Sequence, residues 1–333
     1  MLLVQSMPMD SQSGMQDALQ YAIQLEHATI PPYLSALYSL IPGTNEAIAG
    51  LIKGIVFQEM QHMTLCANML NAIAGAPAVD DPAFIPHYPG GLPFHIGDRH
   101  GNRFEVPLKA FSLDVVENVF MRIEEPDKPI VFPVGTAMFT LAQQQFQTIG
   151  DFYRAVRASL KAEWFTGDPA RQVKGIVNPV FTLADAHAAI DLIVEQGEGT
   201  TTSPLGGAEL AHYYRFAEIF HQRTLIPDAS VVPEGFSYSG DPIPFDPAGV
   251  LPIVESPTSE LYPPNTLQRV ASDTFNQMYS NLLRALHITF NGQPGDLDTA
   301  IGLMFDLKLQ AIKLMGIPIG NGSNAAPCYE FVP

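Results

Sequence analysis

Two tetrapeptides in this sequence are built alike. Residues 59–62 read Glu59-Met60-Gln61-His62, and residues 209–212 read Glu209-Leu210-Ala211-His212. On a helix, positions i and i+3 are neighbours, so each Glu-x-x-His presents a carboxylate and an imidazole on one face. Two such pairs, with one carboxylate from each of two further helices, build a two-metal centre inside a four-helix bundle. Carboxylate and imidazole together suit iron or manganese, and two imidazoles favour Fe(II) over a hard cation. A lone Glu-x-x-His is more often a solvated couple, so the surroundings decide.

At about 100° per residue, Glu59 stacks with Ile48, Ile52, Ile55, Met63, Cys66 and Leu70. An ionised carboxylate in so apolar a stripe is costly unless something pairs with it. No Lys or Arg lies on that stripe. Glu26 is in the same position, among Met15, Leu19, Ala22, Ile30, Tyr33 and Leu37. Glu209 and His212 share a face with Leu205, Tyr213, Phe216 and Phe220. A further pair, Glu218 and His221, lies half a turn round on a mixed polar face and reads as an outer pair. The fourth acid is expected at Asp151, which stacks with Thr140, Gln144, Gln147, Ala155 and Ala158. That face either lines a cavity or meets solvent. The expected metal ligands are therefore Glu26, Glu59, His62, Asp151, Glu209 and His212. Tyr33 and Tyr213 are packing residues by type; facing the metals, they would hydrogen-bond a ligand or an oxygen species, which makes them the candidate catalytic groups. His27, one residue past Glu26, points about 100° away and reads as structural.

The elements that must carry these residues are helical. Apolar periodicity predicts helices over 14–40, 45–74, 112–124, 135–163, 182–194, 205–223, 266–290 and 296–315. Pro31-Pro32 should kink or break the first of them. Pro- and Gly-rich stretches fill roughly 75–107 and 226–265, and no alternation marks a sheet. The fold class is all-α: a bundle over 1–225, with loop insertions at about 75–110 and 164–204. A covering loop and two C-terminal helices packed on the bundle make up 226–333.

Composition narrows the partners. Acidic residues number 34 and basic ones 17, a formal net charge of −17. That balance opposes binding to nucleic acid or to an anionic membrane. The two cysteines, Cys66 and Cys328, make no disulfide framework or zinc spacing. The N-terminus lacks a signal-peptide pattern, and no run of about 18 apolar residues exists. These features lead us to expect a reduced, cytoplasmic protein.

Several blocks resemble a known family. They are Gln24-Leu25-Glu26-His27-Ala28-Thr29-Ile30-Pro31-Pro32-Tyr33-Leu34, Gln58-Glu59-Met60-Gln61-His62-Met63 and His87-Tyr88-Pro89-Gly90-Gly91-Leu92-Pro93. Further on come Thr148-Ile149-Gly150-Asp151-Phe152-Tyr153, Glu209-Leu210-Ala211-His212-Tyr213-Tyr214-Arg215-Phe216 and Ala326-Pro327-Cys328-Tyr329-Glu330. The chain resembles the ferritin-like proteins related to the iminophenylpyruvate dimer synthases of violacein- and rebeccamycin-type pathways. That resemblance implies a ferritin-like four-helix bundle with metal ligands at Glu26, Glu59, His62, Glu209 and His212. Asp151 departs from the di-iron pattern, where Glu is expected.

The expected function is that of a non-heme di-iron oxidase or oxygenase. It would use O2 to oxidise a small organic substrate in specialised metabolism. Two Fe per chain are expected, with Mn or a single metal as alternatives, and a homodimer is left open. The rival readings are oxidative coupling of an imine derived from an aromatic amino acid, and a metal-free helical scaffold or binding module.

Overall fold

Two adjacent prolines do not interrupt the first helix, α1 (Gln12–Ser39), which runs through Pro31 and Pro32 without a break. Each proline removes a backbone donor. Pro32 leaves the Ala28 carbonyl without its amide partner, and the Tyr88 hydroxyl donates to that oxygen instead, at 2.8 Å. The Pro-rich stretch after the second helix thus repairs the first. Replacing Tyr88 with Phe should leave the carbonyl unpaired and cost about 1–3 kcal/mol. A lower urea midpoint would show it; an unchanged midpoint would mean that water or relaxation serves as well.

This structure is a computed structural model, and it describes residues 2–4, 7–93, 95–98, 104–126, 147–199, 203–206, 209–231 and 235–333. After α1, a short connection leads to α2 (Glu46–Ala72), and the two pack as a helical hairpin. Their apolar stripes face inward: Ile48, Ile52, Ile55, Met15, Leu19 and Ala22 are all fully buried. Glu26, Glu59 and His62 are carried into the interior on those same stripes.

A third helical segment is short and irregular. It comprises α3 (Leu113–Val115), a π turn (Val116–Phe120) and α4 (Met121–Ile123). Pro126 follows closely, and a residue ahead of proline is pushed out of the helical region. The helix expected over 135–163 is described only from α5 (Ile149–Ser159). Residues 135–146 lie outside the described part. Just before α5, Gln147–Thr148 is a strand, β3. It pairs with β1 (Leu2–Val4), which also pairs with β2 (His95–Asp98). These strands escaped sequence reading because they are too short to show alternation.

Helix α6 (Leu183–Glu198) starts on a capping box between Thr182 and Asp185 and stops at Gly199, whose φ is +78°. The helix expected over 205–223 is shorter in fact. Leu205–Gly206 (β4) and Glu209–Leu210 (β5) form a paired ribbon, and α7 (His212–His221) begins only after it. The cause is local. A β-carbon at Gly206 would run into the Glu195 backbone of α6, so the chain there is pressed against its neighbour in a form a helix does not fit. Pro204 and Gly206 are turn residues by type.

The last two helices, α8 (Leu267–Phe290) and α9 (Leu297–Met315), make a second hairpin that packs on α2 and α1. Both hairpins contribute to one continuous apolar core. His27 of α1 bonds the Tyr279 hydroxyl of α8 at 2.8 Å. Burial drives its pKa down to about 3, so it stays neutral and serves the packing of the two hairpins. Among the described residues, no helix is long and apolar enough to cross a membrane.

Candidate metal centre

Five side chains from four helical segments converge in the interior. Glu26 comes from α1, Glu59 and His62 from α2, Glu124 from the residue ending α4, and His212 from the first position of α7. They form two triads, Glu26–Glu59–His62 and Glu59–Glu124–His212, each with its ligand atoms within 4.8 Å of one another. Glu59 belongs to both. The imidazoles of His62 and His212 lie nearly parallel, 5.5 Å apart.

Each half is braced in the same way. His62 Nε2 meets the Gln196 side-chain oxygen at 2.8 Å, and His212 Nε2 meets that of Gln58 at 3.0 Å. Both histidines therefore point Nδ1 into the cluster. A metal-binding histidine characteristically fixes its other ring nitrogen this way, through an N–H donated to a carbonyl oxygen. The outer carboxylates are braced by phenols: Tyr153 donates to Glu26, and Tyr33 donates to Glu124 at 2.5 Å. Thr29 donates to Glu59 at 3.3 Å.

One atom in this arrangement faces only acceptors. His212 Nδ1 is buried without a hydrogen bond. It stands 2.7 Å from Glu59 Oε1 and 3.7 Å from Glu124 Oε2. With the ring proton on Nε2, a nitrogen lone pair faces carboxylate oxygens, and only a proton or a metal cation can sit stably between them. The titration of the neighbours agrees. Burial, then the charges of Glu124 and Glu26, push Glu59 well above the ordinary carboxylate range. Burial opposes the charged forms of Glu26 and His62, yet their mutual contact prevails, lowering the acid and raising the imidazole. Burial and crowding thus favour a proton on Glu59, and the contact with Glu26 favours one on His62.

A cavity of about 50 Å³ opens on the cluster between α5 and α6. Its walls are Leu25, Ile123, Ile149, Ile193 and Val194, with Gly150, Gly197 and Glu198 also lining it. A water needs roughly 10–15 Å³ on this measure, so the space suits a few waters or a diatomic molecule beside the ligands.

Of the expected ligands, the structure brings together Glu26, Glu59, His62 and His212, and it places Asp151 and Glu209 elsewhere. Asp151 is half exposed on α5 and pairs with Arg154 at 2.8 Å. Its helix instead turns Tyr153, two residues on, toward Glu26. Glu209 lies in β5, outside the helix, so its i,i+3 relation to His212 is lost; its side chain is 67% exposed and pairs with Arg215 at 2.7 Å. Tyr33 reaches the centre through Glu124, whereas Tyr213 does not. One position past His212 is about 100° round the helix, and Tyr213 packs edge-on against Tyr214 in a separate small cluster. Glu218 accepts from the Leu225 amide and His221 stacks on Tyr238, both away from the centre.

Glu124 was missed because its spacing does not mark it. The positions that stack with it include Glu117 and Lys128 beside Leu113 and Phe120, so the stripe test that selects Glu26 and Glu59 passes it over. Gln58, Gln196 and Tyr153 carry no sequence signal; only their partners mark them.

A ferritin-like family profile matches residues 19–221, a span holding all five converging side chains. The chain belongs to the ferritin-like family. It is also similar to a ferritin-like protein from Caulobacter vibrioides whose crystal structure is known at 1.95 Å. The two are 22% identical, with a TM-score of 0.64 over 95% of this chain and 97% of that one. At that identity the likeness concerns the fold, and it extends past the profile match into the C-terminal hairpin. No curated protein matches the chain.

Proposed function

We propose that this protein is a di-iron oxidoreductase that uses O2 to oxidise a small organic substrate in specialised metabolism. The observation that carries the reading is the unpartnered Nδ1 of His212, buried and aimed at two carboxylates. Glu26, Glu59 and His62 would hold one ion, and Glu59, Glu124 and His212 a second. Bound in the reduced state, such ions would supply the electrons for O2 chemistry. The chain contributes the rest. Gln58 and Gln196 hold the imidazoles, Tyr33 and Tyr153 hold the outer acids, and the apolar walls limit water around the ligands. Tyr33 and Tyr153 are also the nearest phenolic protons to the ligand carboxylates.

The resemblance supports a narrower second reading, coupling of imines from aromatic amino acids. Two blocks that carry it are physically joined, since Tyr88 of the one bonds Ala28 of the other. Oxygen uptake with such imines, compared with unrelated small substrates, separates the two readings.

Anaerobic Fe(II) titration tests the shared premise. About two Fe per chain should bind, as a two-metal bundle requires. Glu124→Gln should lower uptake to about one, while Asp151→Asn should leave it unchanged. Uptake below about one in the native chain would overturn the proposal.

A further inference from the structure

Glu209 stands outside the metal cluster yet is connected to it. Its Oε2 accepts from Arg215 Nη2 at 2.7 Å and from Gln58 Nε2 at 3.2 Å. Arg215 is further fixed by donating through Nε to the Leu210 carbonyl at 2.7 Å. Gln58 and Arg215 are buried, so the arrangement is sheltered although the Glu209 side chain is largely exposed.

We infer that the Arg215–Glu209 pair, acting through Gln58, is a positioning relay that sets the tautomer of His212 and so turns its Nδ1 lone pair toward Glu59 and Glu124. The argument follows the hydrogen-bond chemistry outward to inward. A carboxylate only accepts, so Gln58 must turn its NH2 toward Glu209. That leaves the Gln58 oxygen facing His212 Nε2, at 3.0 Å. An oxygen there can only accept, so the ring proton resides on Nε2 and Nδ1 is left as a donor of its lone pair. The His62 half has no such connection among the described residues: Gln196 meets His62 directly from α6. Both histidines meet a glutamine oxygen, but among the described residues only the glutamine on the His212 side is itself bonded to a surface carboxylate. The metal readout below rests on the function proposed above; the tautomer readout does not.

The test uses the full chain labelled with 15N-histidine, metal-free, with Glu209→Ala, Glu209→Lys and the conservative Glu209→Gln. Glutamine keeps an oxygen acceptor for Gln58, whereas lysine presents a donor and should reverse the amide. Native protein and Glu209→Gln should show His212 protonated on Nε2. Glu209→Lys should shift it toward protonation on Nδ1, with Glu209→Ala between. Co(II) titration should then show one of two bound ions weakened by about 10–100-fold in Glu209→Lys, with Glu209→Gln near native. A merely structural role for Glu209 would lower stability and leave the ring nitrogens unchanged. An unchanged tautomer in Glu209→Lys, or an Nδ1 proton in the native chain, overturns the relay. Failure of native protein to bind Co(II) would overturn the metal reading, while the nitrogen shifts still decide the relay.

Discussion

Glu59→Gln is expected to abolish the two-metal centre and, at the same time, to make the metal-free protein more stable. Glu59 is the one carboxylate common to both triads, so its loss removes a ligand from each metal position. Uptake should fall from about two Fe per chain to well below one. The metal-free gain has a separate origin. Three acids, the buried Glu26 and Glu59 and the partly buried Glu124, crowd one site, and burial with the charges of the other two already pushes Glu59 well above the carboxylate range. Whereas Glu59 costs stability as pH climbs through its raised value, glutamine stays neutral at every pH. Its NH2, placed at Oε1, would lie 2.7 Å from the unpartnered His212 Nδ1 and donate to it. Replacing a strained buried ionisable group with a satisfied neutral one is often stabilising by about 1–4 kcal/mol. Calorimetry without metal should show a higher Tm for the variant, and calorimetry with Fe(II) should show a large gain for the native chain only. A variant that binds metal normally, or a metal-free variant less stable than native, would mean that Glu59 is an ordinary buried acid with no ligand role.

The second large effect is on pH. Stabilisation by Fe(II) should be weak near pH 5 and grow steeply toward pH 8, the range in which a perturbed imidazole or a raised carboxyl titrates. Glu59 and His62 both have raised folded values, from ordinary ones of 4.5 and 6.5. Each therefore stabilises the metal-free fold fully below its ordinary value. That stability is lost as pH climbs through the raised value. Glu26 is lowered from 4.5, so its contribution is present above that value and lost on acidification. Metal-free stability from this site is thus greatest near 4.5, where Glu26 is ionised and Glu59 and His62 hold their protons, and it declines as pH rises. A metal ion must displace the protons on Glu59 and His62, so its binding releases protons and tightens as pH rises. Thermal shifts with and without Fe(II) across this range, together with calorimetry in buffers of different ionisation enthalpy, measure both effects. A metal gain that shrinks with rising pH, or binding with no proton release, would contradict this account.

Helical phase was the legible part of the site. The stripes that strand Glu26 and Glu59 among Ile, Leu and Met follow from sequence spacing alone, and both side chains are buried as that spacing requires. His62 follows from Glu59 by the same arithmetic. His212 was reached by a flawed route, since the Glu-x-x-His that singled it out straddles the end of β5 and the start of α7. Its histidine stands at the centre and its glutamate at the surface. Glu124 left no such mark because it ends a short segment broken by a π turn, too brief for helical periodicity to show.

Residue spacing was enough to find the helices of the N-terminal hairpin, the apolar face of each, and the need of charged groups on those faces for a partner. Those are local properties, set by backbone period and by the cost of burying charge. Packing between distant segments set which third and fourth segments meet that hairpin, how Tyr33 and Tyr153 brace the outer acids, and how Glu209 acts from outside through Gln58. Such distances join residues scores of positions apart, and they depend on how whole elements pack, for which spacing along one helix holds no information.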